Sequence, residues 1–342
     1  MKKVALIAGD GIGPEIAGAA RAVLEAAGAS LEWTPAPMGQ QAQERYGAPV
    51  PLESLETVRS LGVALKGPMI AERRSGGVVV GERRYPSINA AIRRELGAYA
   101  NVRPVRGWEG VSGRYTAMDV VLVRELTEDM YAGLERQVDP DTAEAVKRIT
   151  RGASTRVARF ACEYALRAGR RKITAVHKAN VLHLTDGLFL ESVRAAVAEY
   201  PGLEFDDRMV DAASYALIKS PEALDVLVLP NQYGDILSDM AAGLAGSLGL
   251  APGANIGDGA AVFEAAHGAA PDIAGKGLAN PISLILSGAM MLDWIGQQEA
   301  AERVRTAVRA VLREGAQLTP DLGGTADTGA LTRALCAAAR PR

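Results

Sequence analysis

A chain of 342 residues, 48% hydrophobic and 23% charged, is long enough for a sizeable core and two domains. Its formal charge of −2 gives no electrostatic footprint for nucleic acid or an anionic membrane surface. No apolar run approaches the ~18 residues of a membrane span, and two cysteines, Cys162 and Cys336, make no disulfide framework and fit a reducing cytoplasm.

Strand-like and helix-like patterns alternate along the chain, which predicts an α/β fold. The opening MKKVALIAGD has too short an apolar run for a signal peptide and reads as a first strand, Val4–Ala8. Pro14–Ala27 predicts an amphipathic helix with the proline near its start. Between them lies Gly9-Asp10-Gly11-Ile12-Gly13-Pro14-Glu15. A G-x-G-x-x-G fingerprint would need its third glycine where Pro14 stands, so the usual Rossmann reading fails. A tight glycine turn at a cofactor pocket is the better one.

Leu31–Thr34 reads as a strand, Leu52–Ser60 as a helix, and Val63–Leu65 as a short buried strand before Lys66-Gly67-Pro68. Residues 69–86 form a polar, Arg-rich loop with a brief strand at Val78–Val80. A helix over Ile88–Leu96 and strands over Ala98–Arg103 and Asp119–Arg124 follow. Arg93, Arg103 and Arg124 stand at ends of these elements, where they can converge on one cleft. Guanidinium forks bind carboxylates bidentately, so three would suit a di- or tricarboxylate; the alternative is three solvated surface arginines. Tyr131 is a proton donor or a packed tyrosine with a bonded hydroxyl.

Thr150–Ala168 predicts a long helix, and Lys172–His177 a strand leading into His177-Lys178-Ala179-Asn180. A lysine at a strand end beside a metal loses its proton more readily; the alternative is a surface lysine. His177 has no second histidine at ligand spacing and reads as structural. Gly187–Tyr200 is helical, Glu204–Val210 extended and Ala223–Leu229 strand-like. The segment Asn231–Asp239, NQYGDILSD, then opens a helix over Met240–Leu250. Asp235 and Asp239 stand four apart on one face. Like charges so placed repel unless a cation lies between them, and an oxygen-only pair suits Mg²⁺ or Mn²⁺. The alternative is that Asp235 caps the helix and both acids favour its dipole.

Residues 255–280 form a Gly/Ala-rich stretch with little periodicity, of a length that is usually functional. It contains His267-Gly268-Ala269-Ala270-Pro271-Asp272-Ile273-Ala274-Gly275-Lys276. An acid at Asp272 could bond ribose hydroxyls and would repel a 2′-phosphate, favouring NAD over NADP; the alternative is an ordinary Gly-rich turn. Asn280 caps the next helix, Ile282–Ile295, with Pro281 at its first turn. Helices over Glu299–Glu314 and Thr328–Ala339 close the chain.

The segments GDGIGPE, LKGP, PSIN, YANVRP, VRE, TEDMYAG, HKAN, the isolated Asp211, PNQYGDILSD, AVFEAAHGAAPDIAGK, LANP and TPDLGG occur in a fixed order over nearly the whole chain. In that order they resemble the metal-dependent β-decarboxylating dehydrogenases, the isocitrate/isopropylmalate dehydrogenase family, and within it the NAD-dependent isocitrate type. The resemblance implies an isopropylmalate-dehydrogenase-like fold with a large cofactor domain, residues 1–98 and 252–342, and a small dimerisation and metal/substrate domain, residues 99–251. It implies a homodimer with active sites shared between subunits. By position, Arg93, Arg103 and Arg124 would hold substrate carboxylates, and Ser87 and Asn89 would contact the carboxylate particular to isocitrate. Asp235 and Asp239, with Asp211 of the other subunit, would hold Mg²⁺ or Mn²⁺. Lys178, also from the other subunit, would take the hydroxyl proton, and Tyr131 would return one after CO₂ leaves. His267, Gly268, Asp272, Ile273 and Asn280 would bind NAD. The reaction implied is oxidative decarboxylation of isocitrate to 2-oxoglutarate. There are three departures: Leu126 resembles isopropylmalate enzymes and loop 69–86 is long with Met69-Ile70-Ala71 lacking a threonine, both of which bear on the substrate, and Gln232 replaces a usual leucine. Homoisocitrate and 3-isopropylmalate are therefore the alternative substrates. A non-catalytic regulatory subunit is a remote alternative, because the residues such subunits lose are all present here.

Overall fold

The computed structural model describes residues 1–70 and 77–341. Part of the loop predicted over 69–86, including Ala71, lies outside the described residues. The chain divides into two units, the first of residues 1–97, 107–116 and 242–342, the second of residues 98–106 and 117–241. Residues 107–116 and 242–251, expected in the central domain, group with the first unit. Close backbone packing accounts for this: Arg114 N–H donates to the Leu244 carbonyl at 2.9 Å, and a Cβ on Gly113 would lie 2.5 Å from the Ala245 oxygen.

In the first unit five strands run side by side in the order Pro252–Gly257, Ala261–Ala265, Val63–Lys66, Lys2–Ile7 and Leu31–Pro35. The first pair is antiparallel and the other pairs parallel. The sequence reading left 255–265 without strands. Ala261–Ala265 is buried on both faces, so it lacks the polar alternation that marks a half-exposed strand. The Ile282–Trp294 helix is apolar nearly all round, as a helix enclosed by others must be. It packs on the Ala261–Ala265 strand and on the Gly13–Ala26 and Gln298–Glu314 helices.

The Gly9–Gly13 turn joins the first strand to the Gly13–Ala26 helix. Gly9 and Gly11 have φ of +81° and +58°. Side chains at these two glycines would strike the Pro68 and Ala269 carbonyls at 2.3 and 2.1 Å. Ile12 N–H donates to Ala269 at 2.9 Å, so the turn is a tight seat against the 266–272 loop. Asp10 is buried and accepts from the Gln40 and Ile70 N–H groups at 2.7 and 3.0 Å. Val78–Val80 is a strand, as expected, paired with Arg83–Tyr85.

The second unit carries five strands in the order Glu204–Met209, Lys172–His177, Val226–Leu229, Asp119–Glu125 and Ala98–Arg106. Only the last pair is antiparallel. Val226–Leu229 is buried throughout, worth about 1.5–3 kcal/mol per side chain. The helix after it spans Asn231–Ala245 rather than beginning at Met240. It stops before Gly246, whose φ is +126°. Asp235 and Asp239 are therefore inside the helix, and the capping reading of Asp235 is corrected. Val210–Lys219 is a helix with Asp211 in its first turn, and Glu135–Asp139 pairs with Thr142–Ala145 as an exposed hairpin.

Candidate active site

The second unit gathers five of the expected site residues, Arg103, Arg124, Tyr131, Asp235 and Asp239, on and around one helix face. Arg124, at the end of its strand, is 2% exposed. It donates through Nε and Nη2 to Asn231 Oδ1 at 2.9 and 2.7 Å, and through Nη1 to Asp235 Oδ1. Gly234 makes this approach possible, since a Cβ there would lie 2.6 Å from Arg124 Cβ and Cγ. Arg103 donates to Asn101, to Ser238 at 2.7 Å and to Asp239 Oδ1 at 2.7 Å, and sits 3.7 Å from Asp235. The like charges of Asp235 and Asp239 are thus each met by a guanidinium.

Tyr131 lies in the same cluster. Its hydroxyl donates to Asp235 Oδ2, and its ring lies 5.0 Å from the Arg124 guanidinium carbon. Burial and the bond to Asp235 push its pKa above the ordinary tyrosine value, against the pull of Arg124 and Arg103. The hydroxyl keeps its proton at neutral pH and can serve as an acid.

Lys178 and Asp211 form a second pair, at 2.7 Å. The lysine bond holds Asp211 below the usual carboxylate range. Among the described residues no three acids, histidines or cysteines of one chain come together as a metal site, so Asp211 does not join Asp235 and Asp239 within the chain. His177 is structural, as predicted: Nδ1 accepts from Ala179 N–H at 3.0 Å, leaving Nε2–H to face Asp207 at 3.0 Å.

The remaining expected residues lie in the first unit. Ser87 caps the Ile88–Glu95 helix by accepting from Ala90 N–H at 3.1 Å. On that helix Asn89 Oδ1 and Arg93 Nε are buried without a hydrogen-bond partner among the described residues. Arg93 Nη2 donates to Glu264 at 3.0 Å, and the same carboxylate takes Lys66 Nζ and Asn255 Nδ2. Burial alone would raise the Glu264 pKa. The Lys66 and Arg93 charges outweigh it and hold the carboxyl far below its ordinary value.

His267 is kept neutral by burial. Its Nδ1 faces the Gly268 carbonyl at 2.9 Å; with the proton there, Nε2 is a buried acceptor, and it has no partner among the described residues. Gly268 and Asp272 are exposed and Ile273 half-buried. Asn280 Oδ1 accepts from Ile282 N–H at 3.0 Å, at the start of the Ile282–Trp294 helix. Its amide donates to Asp321 at 3.0 Å, which also takes Ser247 and Thr319 hydroxyls.

An α/β chain that sets arginines, helix-borne carboxylates and a protonated tyrosine together is equipped to bind a small carboxylate and to move a proton, which is the work of an enzyme site. The chain belongs to the isocitrate/isopropylmalate dehydrogenase family, whose model matches residues 3–337. It is 46% identical over 332 residues to catalytic subunit 5 of mitochondrial NAD isocitrate dehydrogenase from Arabidopsis thaliana, covering 97% of this chain and 87% of the relative. It is 47% identical over 334 residues to the isocitrate/homoisocitrate dehydrogenase of Thermus thermophilus, covering 97% of each. The crystal structure of isocitrate dehydrogenase from Methylococcus capsulatus matches with a TM-score of 0.91 at 46% identity, covering all of both chains.

Sequence reasoning missed the residues that brace these side chains. Lys66, Glu264 and Asp321 lie in LKGP, AVFEAA and TPDLGG, segments noted only for their order. Asp129 lies in TEDMYAG, noted for its order and for Tyr131, and Lys147 and Asp186 carried no signal beyond ordinary charge.

Proposed function

We propose that the chain catalyses NAD-dependent oxidative decarboxylation of isocitrate to 2-oxoglutarate and CO₂ with Mg²⁺ or Mn²⁺, as a homodimer with shared active sites. The observation that carries this is the Arg124–Asp235–Tyr131 and Arg103–Asp239 cluster. It supplies carboxylate binders, hard oxygen donors and a proton donor on one helix face.

Asp235 and Asp239 fit a hard divalent ion by donor type. With no third acid joining them among the described residues, a ligand from a partner, Asp211, would complete the set. Exposed apolar side chains of the second unit, Val181, Leu184, Tyr215, Ile218 and Ile236, support such a partner. When bound, the ion supplies Lewis-acid stabilisation of the hydroxyl oxygen and of negative charge developing beside it, and NAD supplies the hydride acceptor. The Nε2 of His267, without a partner among the described residues, fits an acceptor role toward the adenosine, and the exposed Asp272 fits ribose hydroxyls. Arg93, Arg103 and Arg124 hold substrate carboxylates. Asn89, whose buried oxygen has no partner among the described residues, and Ser87 read the carboxylate at the variable end. Lys178 takes the hydroxyl proton and Tyr131 returns one to carbon once CO₂ has left. Homoisocitrate is the second reading, favoured by the Thermus thermophilus relative; Leu126, which resembles isopropylmalate enzymes, favours 3-isopropylmalate as the third. Two free cysteines, Cys162 and Cys336, support a reducing cytoplasmic setting.

Chelated protein should reduce no NAD with isocitrate, and Mg²⁺ or Mn²⁺ should restore NADH and CO₂ in equal amounts. NADH without CO₂, or full activity under chelation, would refute the proposal.

A further inference from the structure

Behind Tyr131 and Lys178 lies a charged cluster that the proposed chemistry does not use. Asp129 and Asp186 are both fully buried, and Lys147, 11% exposed, lies 2.6 Å from Asp186 Oδ1 and 3.6 Å from Asp129 Oδ1. The ammonium also sits 4.3 Å from the centre of the Tyr233 ring. One cation therefore serves two carboxylates that have left water, and a buried charge needs such compensation.

The other oxygen of each carboxylate holds backbone. Asp186 Oδ2 accepts Lys178 N–H at 2.7 Å and the Tyr233 hydroxyl at 3.1 Å. Asp129 Oδ2 accepts Gln232 N–H at 2.8 Å, in the first turn of the helix that bears Asp235 and Asp239. Asp129 also opens the Asp129–Ala132 turn that carries Tyr131, with a φ of +73° that side chains other than glycine rarely adopt. Its N–H is tied to the Arg148 carbonyl at 2.8 Å. Segment 147–148 thus grips Asp129 by backbone and by charge.

We propose that Lys147 is a positioning residue, setting the backbone under Lys178, Tyr131 and the 231–239 helix start through Asp186 and Asp129. The catalytic part of this inference rests on the proposed roles of Lys178 and Tyr131. Burial works against the Lys147 charge, but the Asp186 bond and the Asp129 field raise its pKa, so it stays an ammonium at neutral pH. Without it two buried carboxylates lose the cation they share, and displacement of either loosens what it holds.

The test compares Lys147→Met and Lys147→Arg with the wild-type chain by amide hydrogen exchange and by steady-state kinetics with isocitrate, NAD and Mg²⁺. The Met variant should exchange faster in peptides spanning 128–133, 177–182 and 229–236, with the rest of the chain unchanged. Its kcat should fall about 100-fold, the scale of a misplaced catalytic group, with KM values within about threefold. The Arg variant should recover most of both. Wild-type exchange in the Met variant overturns the proposal. So does faster exchange spread over the whole chain with no recovery by arginine, which marks a merely structural role. If the Met variant does not fold, Asp186→Asn should loosen 177–182 and leave 229–236 protected; unchanged exchange at 177–182 overturns the proposal. A wild-type chain inactive on every hydroxy acid refutes the functional reading instead, and the exchange comparison still decides the positioning claim.

Discussion

Replacing Glu264 by glutamine should destabilise the first unit more than any surface substitution. The carboxylate faces Lys66, whose side chain is 3% exposed, and Arg93, 20% exposed. Removing one partner of a buried ion pair costs about 3–5 kcal/mol, because the remaining charge stays buried. Glutamine keeps the volume and one acceptor oxygen, which favours the lower end, about 3 kcal/mol. The sign with pH follows from the depressed folded pKa of Glu264. Its stabilisation is fully present above the unfolded value of 4.5 and is lost as pH falls from there toward the folded value. The gap between wild type and variant in urea unfolding should be constant from about pH 8 to 5 and narrow below about 4.5. A gap under about 0.5 kcal/mol at pH 7, or one that grows on acidification, would refute the reasoning.

Other substitutions test single contacts. Gly234→Ala sets a Cβ 2.6 Å from Arg124; urea unfolding should show a loss of about 1–3 kcal/mol, and substrate KM should rise at least about tenfold. Tyr131→Phe removes a hydroxyl from a side chain 46% exposed, so thermal unfolding should shift by less than about 0.5 kcal/mol. Turnover should fall about 10²-fold or more; unchanged turnover would contradict the assigned role. Asp272→Ser should narrow the preference for NAD over NADP in kcat/KM, and an undiminished preference would remove it as the determinant. Cys162 is fully buried and its thiol is pushed up to about 12, so a thiol reagent at pH 8 should label the folded chain at no more than one cysteine, Cys336. Rapid labelling of both would show that the core opens.

The α/β alternation was legible where strands are unbroken apolar runs, as at Val226–Leu229, and where helices carry an apolar stripe, as at Gly13–Ala26. It was not legible at Glu135–Asp139 and Thr142–Ala145, exposed on both faces, where no burial imposes a pattern. The start of the Asn231–Ala245 helix was read nine residues late (231 against 240). Asn231, Gly234 and Asp235 are weak helix formers, and it is Arg124, packed on all three, that rewards them for being helical. The same contacts explain why the acid pair could be found in the sequence: two carboxylates on one face ask for cations nearby. Lys66 and Glu264 gave no such sign. They are 198 residues apart, and each by itself reads as a surface charge until the parallel pairing of Val63–Lys66 with Ala261–Ala265 sets them side by side.

The most direct measurement is initial-rate NAD reduction by the purified chain with Mg²⁺ and, in parallel, isocitrate, homoisocitrate, 3-isopropylmalate and tartrate. The account predicts the highest kcat/KM with isocitrate. A clear preference for any of the other three would contradict the substrate assignment, and no NADH from any of them would contradict the reaction itself.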